Sequence, residues 1–439
     1  MIEVLRPPSA LAGELQLPAD KSISHRSILF ASLHEGRSEI RNFSSAADPA
    51  STVACMRALG VEIAREGGHV TVEGVGRGGL RAPGAPLDCG NSGTTMRLLG
   101  GIVAGAGLEA ELDGDHSLRG RDMKRIADPL ARMGLHMEAR DGQYAPLKVR
   151  PHEGVRPMRF ELPIPSAQLK SCVLLAGLFG EGETQVVETL PSRDHTERLL
   201  RLPVRYEGEG GGPGPGWEGP RRILASSLAQ QVPEQSYRVP GDFSAAAFWL
   251  AAGAVHPEAE IHMPGVGLNP TRSAALQVLG DMGADIEAAN SREEGAEPAG
   301  DLTVRSSQLQ PIDIGPDLVP NLIDEIPVLC VAMCFADGVS TVRGARELRH
   351  KESDRLEAVA ELLRAAGARF EEHEDGFTIY GDPGFRPQPA RYRSFHDHRI
   401  AMSAAVLALR ASGPSEVSGA ECAAISYPRF WEDLEGLTN

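Results

Sequence analysis

Residues 20–26 combine a lysine, an arginine and two serines directly ahead of an apolar run, residues 27–33. Asp20 or Ser22 is a suitable N-cap and Gly36 a suitable stop, so the pattern predicts a helix beginning within the heptapeptide. A helix N-terminus presents unpaired backbone N–H groups at its positive end, where a phosphate or carboxylate binds well. The stretch therefore predicts either an anion site or an ordinary solvated helix start, and these residues alone do not decide between the two.

Lysine is rare in this chain, which has 439 residues and 44 lysines plus arginines. Its lysines are Lys21, Lys124, Lys148, Lys170 and Lys351, which leaves 39 arginines. A compact ammonium group donates a proton or approaches a crowded carbon more readily than a guanidinium does. Where arginine is the usual cation, a lysine inside a polar stretch is therefore a candidate for chemistry.

Three further stretches place polar groups beside a helix start or in a turn. Residues 90–97 (Gly-Asn-Ser-Gly-Thr-Thr-Met-Arg) precede one apolar run, and residues 165–171 (Pro-Ser-Ala-Gln-Leu-Lys-Ser) open another. Such starts suit an anion near backbone N–H groups, although a capped tight turn explains residues 90–97 equally well. They are not a Walker loop, because no Gly-Lys-Ser/Thr follows. Residues 117–123 hold two arginines and predict an anion contact or a solvated basic loop.

Carboxylates accompany the last of the rare lysines. Asp324 and Glu325 interrupt an apolar stretch, residues 318–335, so we expect them to be partly buried or to line a cleft. Such positions shift pKa values and permit acid–base chemistry. Residues 351–355 (Lys-Glu-Ser-Asp-Arg) and 396–399 (His-Asp-His-Arg) carry further charge, and the alternative for residues 351–355 is a salt-bridged helix face. The helix starts and carboxylates together favour catalysis over coincidence.

Composition excludes several classes of function. The apolar content of 41% and charged content of 24% are ordinary for a globular protein, and the length predicts two or more domains. A net charge of −16 argues against nucleic acid or an anionic membrane as the main partner, but it permits a local basic pocket for a small anion. The N-terminus lacks the apolar core of a signal peptide, and there is no run of about 18 apolar residues. We therefore expect a cytoplasmic protein.

The six cysteines predict core residues rather than a metal site. They are Cys55, Cys89, Cys172, Cys330, Cys334 and Cys422, and most lie in apolar, helix-like runs. No Cys-x-x-Cys pair occurs, and no histidine or second pair accompanies Cys330 and Cys334 as a zinc site would require.

A helix that ends at glycine and precedes an alternating strand recurs along the chain. Its copies surround Gly60, Gly134, Gly283 and Gly367, with a degraded copy at residues 199–206. The glycine predicts a left-handed helix stop and the alternation predicts the edge strand of a sheet. A period of roughly 70–80 residues predicts about six copies, each mixing helix and strand.

Two segments predict surface excursions and one predicts a domain crossing. Residues 207–220 are rich in glycine and proline and predict a loop or hairpin tip, and the polar residues 288–300 predict another excursion. Residues 238–242 (Arg-Val-Pro-Gly-Asp) lie near the middle of the chain, just ahead of a helix-like run at 243–252. They predict a hinge between domains.

Together these motifs resemble the family of 5-enolpyruvylshikimate-3-phosphate synthases (EPSP synthases, 3-phosphoshikimate 1-carboxyvinyltransferases). The resemblance extends from residues 17–26 to residues 426–434. Its intermediate anchors are residues 90–97, 165–171, 192–197, 239–244, 322–325 and 351–355. No single motif is specific, but the combination is.

The resemblance implies an α/β fold (α+β in some schemes) of two domains, each built of three βαβαββ repeats, with the active site in the interdomain cleft. It places the two crossings at residues 19–20 and 239–240. One domain then comprises residues 1–19 plus 240–439, and the other comprises residues 20–239. The six repeats of this fold agree with the number reached from the glycine pattern.

The resemblance also implies an activity. Family members transfer the enolpyruvyl group of phosphoenolpyruvate to the 5-hydroxyl of 3-phosphoshikimate and release phosphate, a step of the shikimate pathway to chorismate and the aromatic amino acids. The reaction uses no metal and no cofactor. We accordingly expect two small-molecule substrates, no nucleic-acid or membrane partner, and a monomer.

Site residues follow from the resemblance, position by position. Those expected to hold 3-phosphoshikimate are Lys21, Ser22, Arg26, Ser166, Ala167, Gln168, Asp324 and Lys351. Those expected to hold phosphoenolpyruvate are Lys21, Gly93, Arg121, Gln168, Arg355 and Arg399. The expected catalytic residues are Asp324, Lys351, Glu352 and Lys21, with Asp324 as the hydroxyl base and Glu352 with Lys351 handling the proton at the methylene carbon.

The chain departs from the family pattern at several positions. Ala167 stands where part of the family has a second serine, and Ile425 stands where some members have a lysine. Asp122 replaces the usual proline after Arg121 and so puts a negative charge near an expected anion site. Residues 207–220 resemble an insertion. None of these changes removes an expected catalytic group.

Two rival functions remain open at this stage. The sister enzyme UDP-N-acetylglucosamine 1-carboxyvinyltransferase shares the fold, but it uses a loop cysteine and a Lys-Asn pair, whereas this chain has Lys21-Ser22 and places Cys89 in a different motif. A non-catalytic repeat protein on the same scaffold is disfavoured by the intact Asp324, Lys351 and Glu352. For the enzyme itself we expect an open form without ligand, because uncompensated cations would repel one another, and closure when 3-phosphoshikimate binds.

Overall fold

The computed structural model of the chain describes residues 1–207 and 221–438. Its α-helices are α1 Lys21–Leu33, α2 Ala47–Ala58, α3 Gly93–Gly105, α4 Lys124–Arg132, α5 Ala167–Gly177, α6 His195–Leu200, α7 Phe243–Val255, α8 Ala274–Asp281, α9 Val319–Leu322, α10 Ile326–Met333, α11 Arg355–Ala365, α12 His398–Ala408 and α13 Phe430–Thr438. Short 3₁₀ helices are Leu118–Gly120, Arg346–His350 and Ala420–Ile425. Among the described residues, no helix is both long enough and apolar enough to cross a membrane.

The strands are short and spread along the whole chain. They are β1 Ile2–Leu5, β2 Leu11–Glu14, β3 Glu35–Arg41, β4 Glu62–Glu66, β5 His69–Val75, β6 Leu87–Asp88, β7 Ala110–Asp113, β8 His136–Arg140, β9 Tyr144–Arg150, β10 Arg159–Glu161, β11 Thr184–Glu188, β12 Val204–Glu207, β13 Arg221–Ser226, β14 Tyr237–Arg238, β15 Ala259–Gly267, β16 Asp285–Glu294, β17 Glu297–Arg305, β18 Asp313–Ile314, β19 Val339–Val342, β20 Arg369–His373, β21 Gly376–Tyr380, β22 Arg391–Arg393 and β23 Ser415–Ser418.

These strands form six small sheets, five of which share one plan. In β6-β7-β9-β8, for example, β6 pairs parallel to β7, β9 pairs antiparallel to β7, and β8 closes the edge antiparallel to β9. The orders β14-β3-β5-β4, β10-β11-β13-β12, β2-β15-β17-β16 and β18-β19-β21-β20 repeat the plan, and β1-β23-β22 is a three-stranded version among the described residues. The predicted six-fold repetition of mixed helix and strand is confirmed.

The glycine stops predicted between helix and edge strand are confirmed by the backbone. Gly60, Gly134, Gly283 and Gly367 have φ angles of +91°, +79°, +86° and +75°. An L-residue with a side chain is disfavoured there, which is why glycine recurs. The degraded copy has Arg201 at φ +52° in the same position, so the turn survives there without glycine.

By their internal contacts the residues divide into two compact units. Unit 1 comprises Met1–Pro18, Pro240–Arg292 and the described residues from Pro298 onward. Unit 2 comprises Ala19–Val239, described outside residues 208–220, together with Glu293–Glu297. Each unit has its own hydrophobic core and three of the six sheets.

Two passages of the chain between the units explain why unit 1 is discontinuous in sequence. Strand β2 lies in unit 1 and pairs parallel to β15, although the next helix along the chain, α1, lies in unit 2. Conversely, β14 pairs parallel to β3 in unit 2, although the following helix α7 lies in unit 1. The chain therefore passes between the units in the segment after each of these strands.

Three buried helices run through the core of each unit. They are α1, α3 and α5 in unit 2, and α7, α10 and α12 in unit 1. Every residue of α7 is buried, which is possible because sheets and helices cover it on all sides. Polar side chains of these helices concentrate at their N-termini, and this is the position of most of the predicted site residues.

Some local predictions were wrong or lie outside the described residues. Residues 288–300 belong to the β16–β17 hairpin, whose turn contains Gly295 at φ +70°; residues 288–296 are exposed or half-buried, as the predicted surface excursion requires, but Glu297 is completely buried. Helix α1 ends at Leu33, before the predicted stop at Gly36, which lies in β3. The predicted glycine- and proline-rich excursion falls almost entirely on residues 208–220, outside the described residues.

Candidate functional site

The predicted site residues of unit 2 lie at the starts of its three core helices. Lys21 and Ser22 open α1, Gly93 opens α3, and Ala167 and Gln168 open α5. Each start is capped by a side-chain oxygen that accepts a backbone N–H bond: Asp20 from Ile23 at 2.8 Å, Ser92 from Thr95 at 3.1 Å and Ser166 from Leu169 at 3.4 Å. One cap leaves other N–H groups of the first turn for a ligand, at the positive end of the helix.

Asp48 of α2 contacts the first two starts, one through its carboxylate and the other through its backbone carbonyl. Lys21 Nζ lies 3.3 Å from Asp48 Oδ2, and both side chains are about one-fifth exposed. The backbone carbonyl of Asp48 lies 3.5 Å from Thr95 Oγ1, the hydroxyl at the start of α3. His25 Nδ1 lies 2.6 Å from Thr52 Oγ1, which in turn lies 2.8 Å from Thr95 Oγ1. These buried polar contacts hold α1, α2 and α3 in one arrangement.

Gln168 is held in a defined orientation beside Gly93. Arg97 Nη1 donates to Gln168 Oε1 at 2.6 Å, and Gln168 Nε2 donates to Thr94 Oγ1 at 2.9 Å. Because a guanidinium only donates, these two contacts define which end of the amide is oxygen. A Cβ atom at Gly93 would lie 3.0 Å from Arg97 Nη1 and 3.4 Å from Arg121 Nη1, so glycine leaves room for both arginines there.

Arg121 lies near Gly93, and the next residue, Asp122, contacts Arg97. Arg121 Nη2 donates to Asn91 Oδ1 at 2.9 Å. The Asp122 carboxylate accepts the Lys124 N–H at 2.9 Å and lies 3.6 Å from Arg125 Nε, so its charge is offset at the start of α4. Its backbone carbonyl accepts from Arg97 at 3.2 Å. The negative charge noted in the sequence is therefore partly compensated.

Arg26 lies one turn into α1 and is almost completely buried. Its Nε donates to Thr196 Oγ1 at 2.7 Å, Nη1 to the Ser22 carbonyl at 2.9 Å and Nη2 to Ser171 Oγ at 3.2 Å. Burial lowers the pKa of Arg26 to about 10, while nearby carboxylates, Glu197 first, partly oppose the change. The guanidinium therefore keeps its charge at neutral pH.

In unit 1, Asp324 lies between two of the predicted arginines. Arg355 Nη1 donates to Asp324 Oδ1 at 3.2 Å, and Arg399 Nε lies 3.3 Å from the same oxygen. Arg399 Nη1 also donates to the Asp324 backbone carbonyl at 3.2 Å. The next residue, Glu325, is buried and accepts from Arg272 at 2.8 Å. Arg399 Nη1 also lies 3.9 Å from Glu325 Oε1, so the two adjacent carboxylates share Arg399 but differ in their other arginine, and of the two only Asp324 is partly exposed.

Arg355 has two further carboxylate partners. Its Nη2 donates to Glu352 Oε2 at 2.6 Å and its Nε donates to Asp397 Oδ2 at 2.8 Å. Asp397 is also the N-cap of α12, because its other oxygen accepts the Arg399 N–H at 2.9 Å. Burial alone would lower the pKa of Arg355, but the carboxylates of Glu352, Asp397 and Asp324 outweigh it and raise that pKa well above its usual value.

Lys351 follows the 3₁₀ helix Arg346–His350 and lies near the same carboxylates. Its Nζ lies 3.3 Å from Glu347 Oε1. Burial lowers the pKa of Lys351, with Arg355 acting in the same direction and Glu347 and Asp324 in the opposite one. A lowered ammonium pKa makes proton donation easier near neutral pH. Ile425, the departure noted in the sequence, ends the 3₁₀ helix Ala420–Ile425 and is partly exposed.

The structure therefore assembles the predicted residues into two groups, one in each unit. The unit 2 group contains Lys21, Ser22, Arg26, Gly93, Arg121, Ser166, Ala167 and Gln168. The unit 1 group contains Asp324, Lys351, Glu352, Arg355 and Arg399. Each group combines cations with hydroxyl, amide or carboxylate side chains, as recognition of small anions requires.

Sequence reasoning missed several residues that hold these groups. Arg97, Asp397 and Thr196 lie inside stretches that the sequence singles out, but nothing there indicates their contacts with Gln168, Arg355 and Arg26. Asp48 carries no motif at all, and only the fold brings it to Lys21.

The rare lysine Lys170 proves to be a buried structural residue. It is completely buried and lies 2.9 Å from Glu188 Oε1 and 2.8 Å from Glu197 Oε1. The prediction that lysines in polar stretches contact ligands therefore does not extend to this one.

The predicted core role of the cysteines is confirmed. All six are buried free thiols. Burial raises the pKa of Cys172 to about 12 and that of Cys422 to about 11, so neither is a reactive thiolate near neutral pH. Across residues 1–207 and 221–438 no group of three or more His, Cys, Asp or Glu side chains could hold a metal ion. That the reaction needs neither metal nor cofactor stays a prediction.

Comparison with known proteins gives a consistent result over the whole chain. The family profile described as EPSP synthase (3-phosphoshikimate 1-carboxyvinyltransferase) matches residues 5–434. The 3-phosphoshikimate 1-carboxyvinyltransferase of Salinibacter ruber is 51% identical over 441 aligned residues, which cover 100% of both chains. The enzyme of the same name from Parasynechococcus marenigrum is 49% identical, covering 99% of this chain and 97% of its own.

Solved structures agree with the sequence comparison. An EPSP synthase structure from Acinetobacter baumannii superposes with a TM-score of 0.87 at 38% identity, covering 99% of this chain and 98% of that one. The enolpyruvyl transferase NikO from Streptomyces tendae has a TM-score of 0.76 at 16% identity, with 99% and 97% coverage, and shows a shared fold.

Proposed function

The chain belongs to the EPSP synthase (3-phosphoshikimate 1-carboxyvinyltransferase) family and is a transferase of the shikimate pathway to aromatic amino acids, and on that premise we propose how its residues act. The reaction joins the 5-hydroxyl oxygen of 3-phosphoshikimate to the central carbon of phosphoenolpyruvate and releases phosphate. The unit 2 and unit 1 groups serve this single reaction, with residues 20–239 as one domain and residues 1–19 plus 240–439 as the other.

Binding of the two substrates requires cations, because each substrate carries a phosphate and a carboxylate. The residues that hold 3-phosphoshikimate are Lys21, Ser22, Arg26, Ser166, Ala167, Gln168, Asp324 and Lys351. The residues that hold phosphoenolpyruvate are Lys21, Gly93, Arg121, Gln168, Arg355 and Arg399. Support comes from the contact of Gln168 with Thr94, next to Gly93, and from the two arginines that flank Asp324.

Proton transfer is assigned to the carboxylates and the lysine of unit 1. Asp324 takes the proton of the 5-hydroxyl and passes it to the departing phosphate, while Glu352 with Lys351 delivers a proton to the methylene carbon and takes one back from that carbon as phosphate leaves. The balance is one enol ether and one phosphate from the two substrates, with no net redox change. The lowered pKa of Lys351 supports its role as a donor. Lys21 at the start of α1 stabilises the negative charge of the substrates.

The single observation that carries this assignment is the position of Asp324. It is a partly exposed carboxylate that, with its neighbour Glu325, interrupts an apolar stretch, and it lies within 3.3 Å of two buried arginine side chains. A carboxylate so placed both orients arginines toward anions and accepts a proton from a hydroxyl brought beside it. We further propose a cytoplasmic monomer that acts on these small molecules, without nucleic-acid or membrane partners.

The test is a coupled assay for phosphate release. Phosphoenolpyruvate with 3-phosphoshikimate should release phosphate at a rate that depends on both, and phosphoenolpyruvate with UDP-N-acetylglucosamine should release none. Release with the nucleotide sugar alone as acceptor would assign the sister activity. A folded chain that releases phosphate with neither acceptor would support the non-catalytic alternative.

A further inference from the structure

Among the described residues, the hydrogen-bond acceptors of Arg26 are all neutral, although the carboxylates of Glu197, Asp20 and Glu297 influence its charge from further away. Thr196 Oγ1 and Ser171 Oγ accept from Nε and Nη2, and the Ser22 carbonyl accepts from Nη1. A guanidinium has five N–H bonds, so these contacts leave one on each terminal nitrogen without an acceptor among the described residues. Two such parallel bonds match a carboxylate or phosphate in bidentate geometry.

The two hydroxyls form a closed group with the guanidinium. Ser171 Oγ and Thr196 Oγ1 lie 2.6 Å apart, and both residues are completely buried. Each hydroxyl therefore has a second partner that limits its rotation. Because neither hydroxyl carries charge, they orient Arg26 without forming an ion pair with it; the carboxylates of Glu197, Asp20 and Glu297 act on its charge only from beyond hydrogen-bonding distance.

A buried ion network sets the spacing of these hydroxyls. The residues next to them in the chain, Lys170 on α5 and Glu197 on α6, are paired at 2.8 Å. Arg222 on β13 lies 3.1 Å from Glu197 Oε1, and Glu188 on β11 lies 2.9 Å from Lys170. Two successive residue pairs thus join α5 to α6, one ionic and one made of hydroxyls, and Arg26 lies against the second.

From this geometry we propose that Thr196 and Ser171 are positioning residues for Arg26, which they aim at an oxyanion group of 3-phosphoshikimate. The inference rests on the proposed function, since it takes that substrate as the anion. It assigns a positioning role to the hydroxyl pair. Lys170 stabilises the position of this pair through its buried ion pair and does not contact the ligand.

The test is the near-isosteric Thr196→Val variant, which keeps the shape and removes the acceptor of the Arg26 Nε–H. We expect the KM and the calorimetric Kd for 3-phosphoshikimate to rise about tenfold, the factor associated with loss of a hydrogen bond to a charged group. kcat and the KM for phosphoenolpyruvate should stay within about twofold of the wild-type values, because neither depends on the orientation of the Arg26 guanidinium. Thr196→Ser restores the hydroxyl and should restore binding.

Two controls separate positioning from loss of folding. Thr184 in β11 is equally buried, and its hydroxyl has no hydrogen-bond partner among the described residues, so Thr184→Val should leave both substrate constants unchanged. In an Arg26→Ala background, Thr196→Val should cause no further loss of affinity, because the guanidinium that Thr196 orients is absent.

The possible outcomes are distinct. A wild-type chain that does not bind 3-phosphoshikimate would overturn the proposed function and this inference with it. A wild-type chain that binds, with an equal Kd in Thr196→Val, would overturn the inference alone. An additive loss in the Arg26→Ala background would also overturn it, because the hydroxyl would then act independently of Arg26.

Discussion

Arg26 in unit 2 and Arg355 in unit 1 are both almost completely buried, yet their surroundings are opposite. Arg26 contacts two hydroxyls and a backbone carbonyl, and burial lowers its pKa to about 10. Arg355 contacts the carboxylates of Asp324, Glu352 and Asp397, which raise its pKa well above the usual value despite burial. Arg26 is oriented by neutral hydrogen-bond acceptors, whereas Arg355 is paired with carboxylates of its own unit.

The difference indicates two ways of receiving an anion. At Arg26 an incoming carboxylate or phosphate meets two available N–H bonds and a guanidinium that is hydrogen-bonded to no carboxylate among the described residues. At Arg355 it must share or replace carboxylates that are already bonded, which couples anion binding to movement or protonation of Asp324 and Glu352. The second arrangement suits a site where protons are transferred, and the first suits a site that only holds a substrate.

Carboxylates beside the expected site cations remove the expected cause of an open unliganded form. The sequence suggested cations without counter-charges, but Lys21 lies 3.3 Å from Asp48, and Lys351 lies 3.3 Å from Glu347. Arg355 has its three carboxylates. Repulsion among bare cations is therefore not the cause of any opening. Closure on binding 3-phosphoshikimate stays a prediction that needs another driving force, such as contacts made only in the closed state.

The largest expected effect is on folding of unit 1. Asp397→Ala removes a buried partner of Arg355 and the cap of α12, so the free energy of unfolding should fall by about 3–5 kcal/mol. The matched control Ser92→Ala in unit 2 removes only a cap and should cost about 1 kcal/mol. Urea denaturation of both variants gives the comparison, and equal losses would contradict the view that Arg355 depends on its carboxylates.

The next effect is on turnover. Asp324→Asn keeps an acceptor for Arg355 but cannot accept a proton, so kcat should fall about 100-fold or more while both substrates still bind. Steady-state kinetics with calorimetric binding measures both quantities. The control is Asp313→Asn, an exposed position in β18 of the same unit, which should retain full turnover. Unchanged turnover in Asp324→Asn would remove this residue from the mechanism.

A third prediction concerns the pH dependence of stability, which follows from the burial of His25 in unit 2. Burial lowers the pKa of His25 to about 3; Asp48 opposes this change, and Lys21 and Arg26 reinforce it. The unfolded chain protonates this histidine near pH 6.5, whereas the folded chain does not, so stability falls as pH drops from about 6.5 toward 3. The slope is at most about 1.4 kcal/mol per pH unit, or roughly 2 kcal/mol between pH 6.5 and 5.

His25→Asn should remove this loss, as measured by urea denaturation at a series of pH values. His136→Asn, an exposed position in β8, serves as the control and should keep the wild-type pH dependence. A variant of His25 with an unchanged slope between pH 6.5 and 5 would show that this histidine is charged in the folded state.

The smallest effect is on substrate affinity in unit 1. Arg399→Ala should raise the KM for phosphoenolpyruvate about tenfold and that for 3-phosphoshikimate less, because a guanidinium–carboxylate contact is lost. The control is Arg393→Ala, an exposed arginine paired with Glu361 at 3.4 Å. Arg355→Ala should follow the same order, but it also strands three carboxylates and should unfold more easily. Equal increases for both substrates would contradict the assignment of Arg399.

Local patterns in the sequence determined much of this protein. Several features depend only on neighbours within a few residues, so they can be predicted without knowledge of the fold. These features are the glycine stops, the capped helix starts and the apolar runs of α7 and α10. The recurrence of one helix–strand pattern along the chain then indicated the class of fold. The motifs at residues 20–26 and 351–355 belong to the unit 2 and unit 1 groups respectively, and their role as site residues stays a prediction.

Tertiary structure alone decided the partners and the burial of these residues. Thr196 is 170 positions from Arg26, and Asp397 is 42 positions from Arg355, so their contacts exist only after helices from different repeats pack together. The polarity of residues 288–300 predicts a surface excursion, and β16 is indeed largely exposed, but Glu297 beside the turn is buried, with its Oε1 2.9 Å from His195 Nδ1. Polarity along a sequence records what a residue is, whereas burial and charge pairing depend on which distant segment covers it.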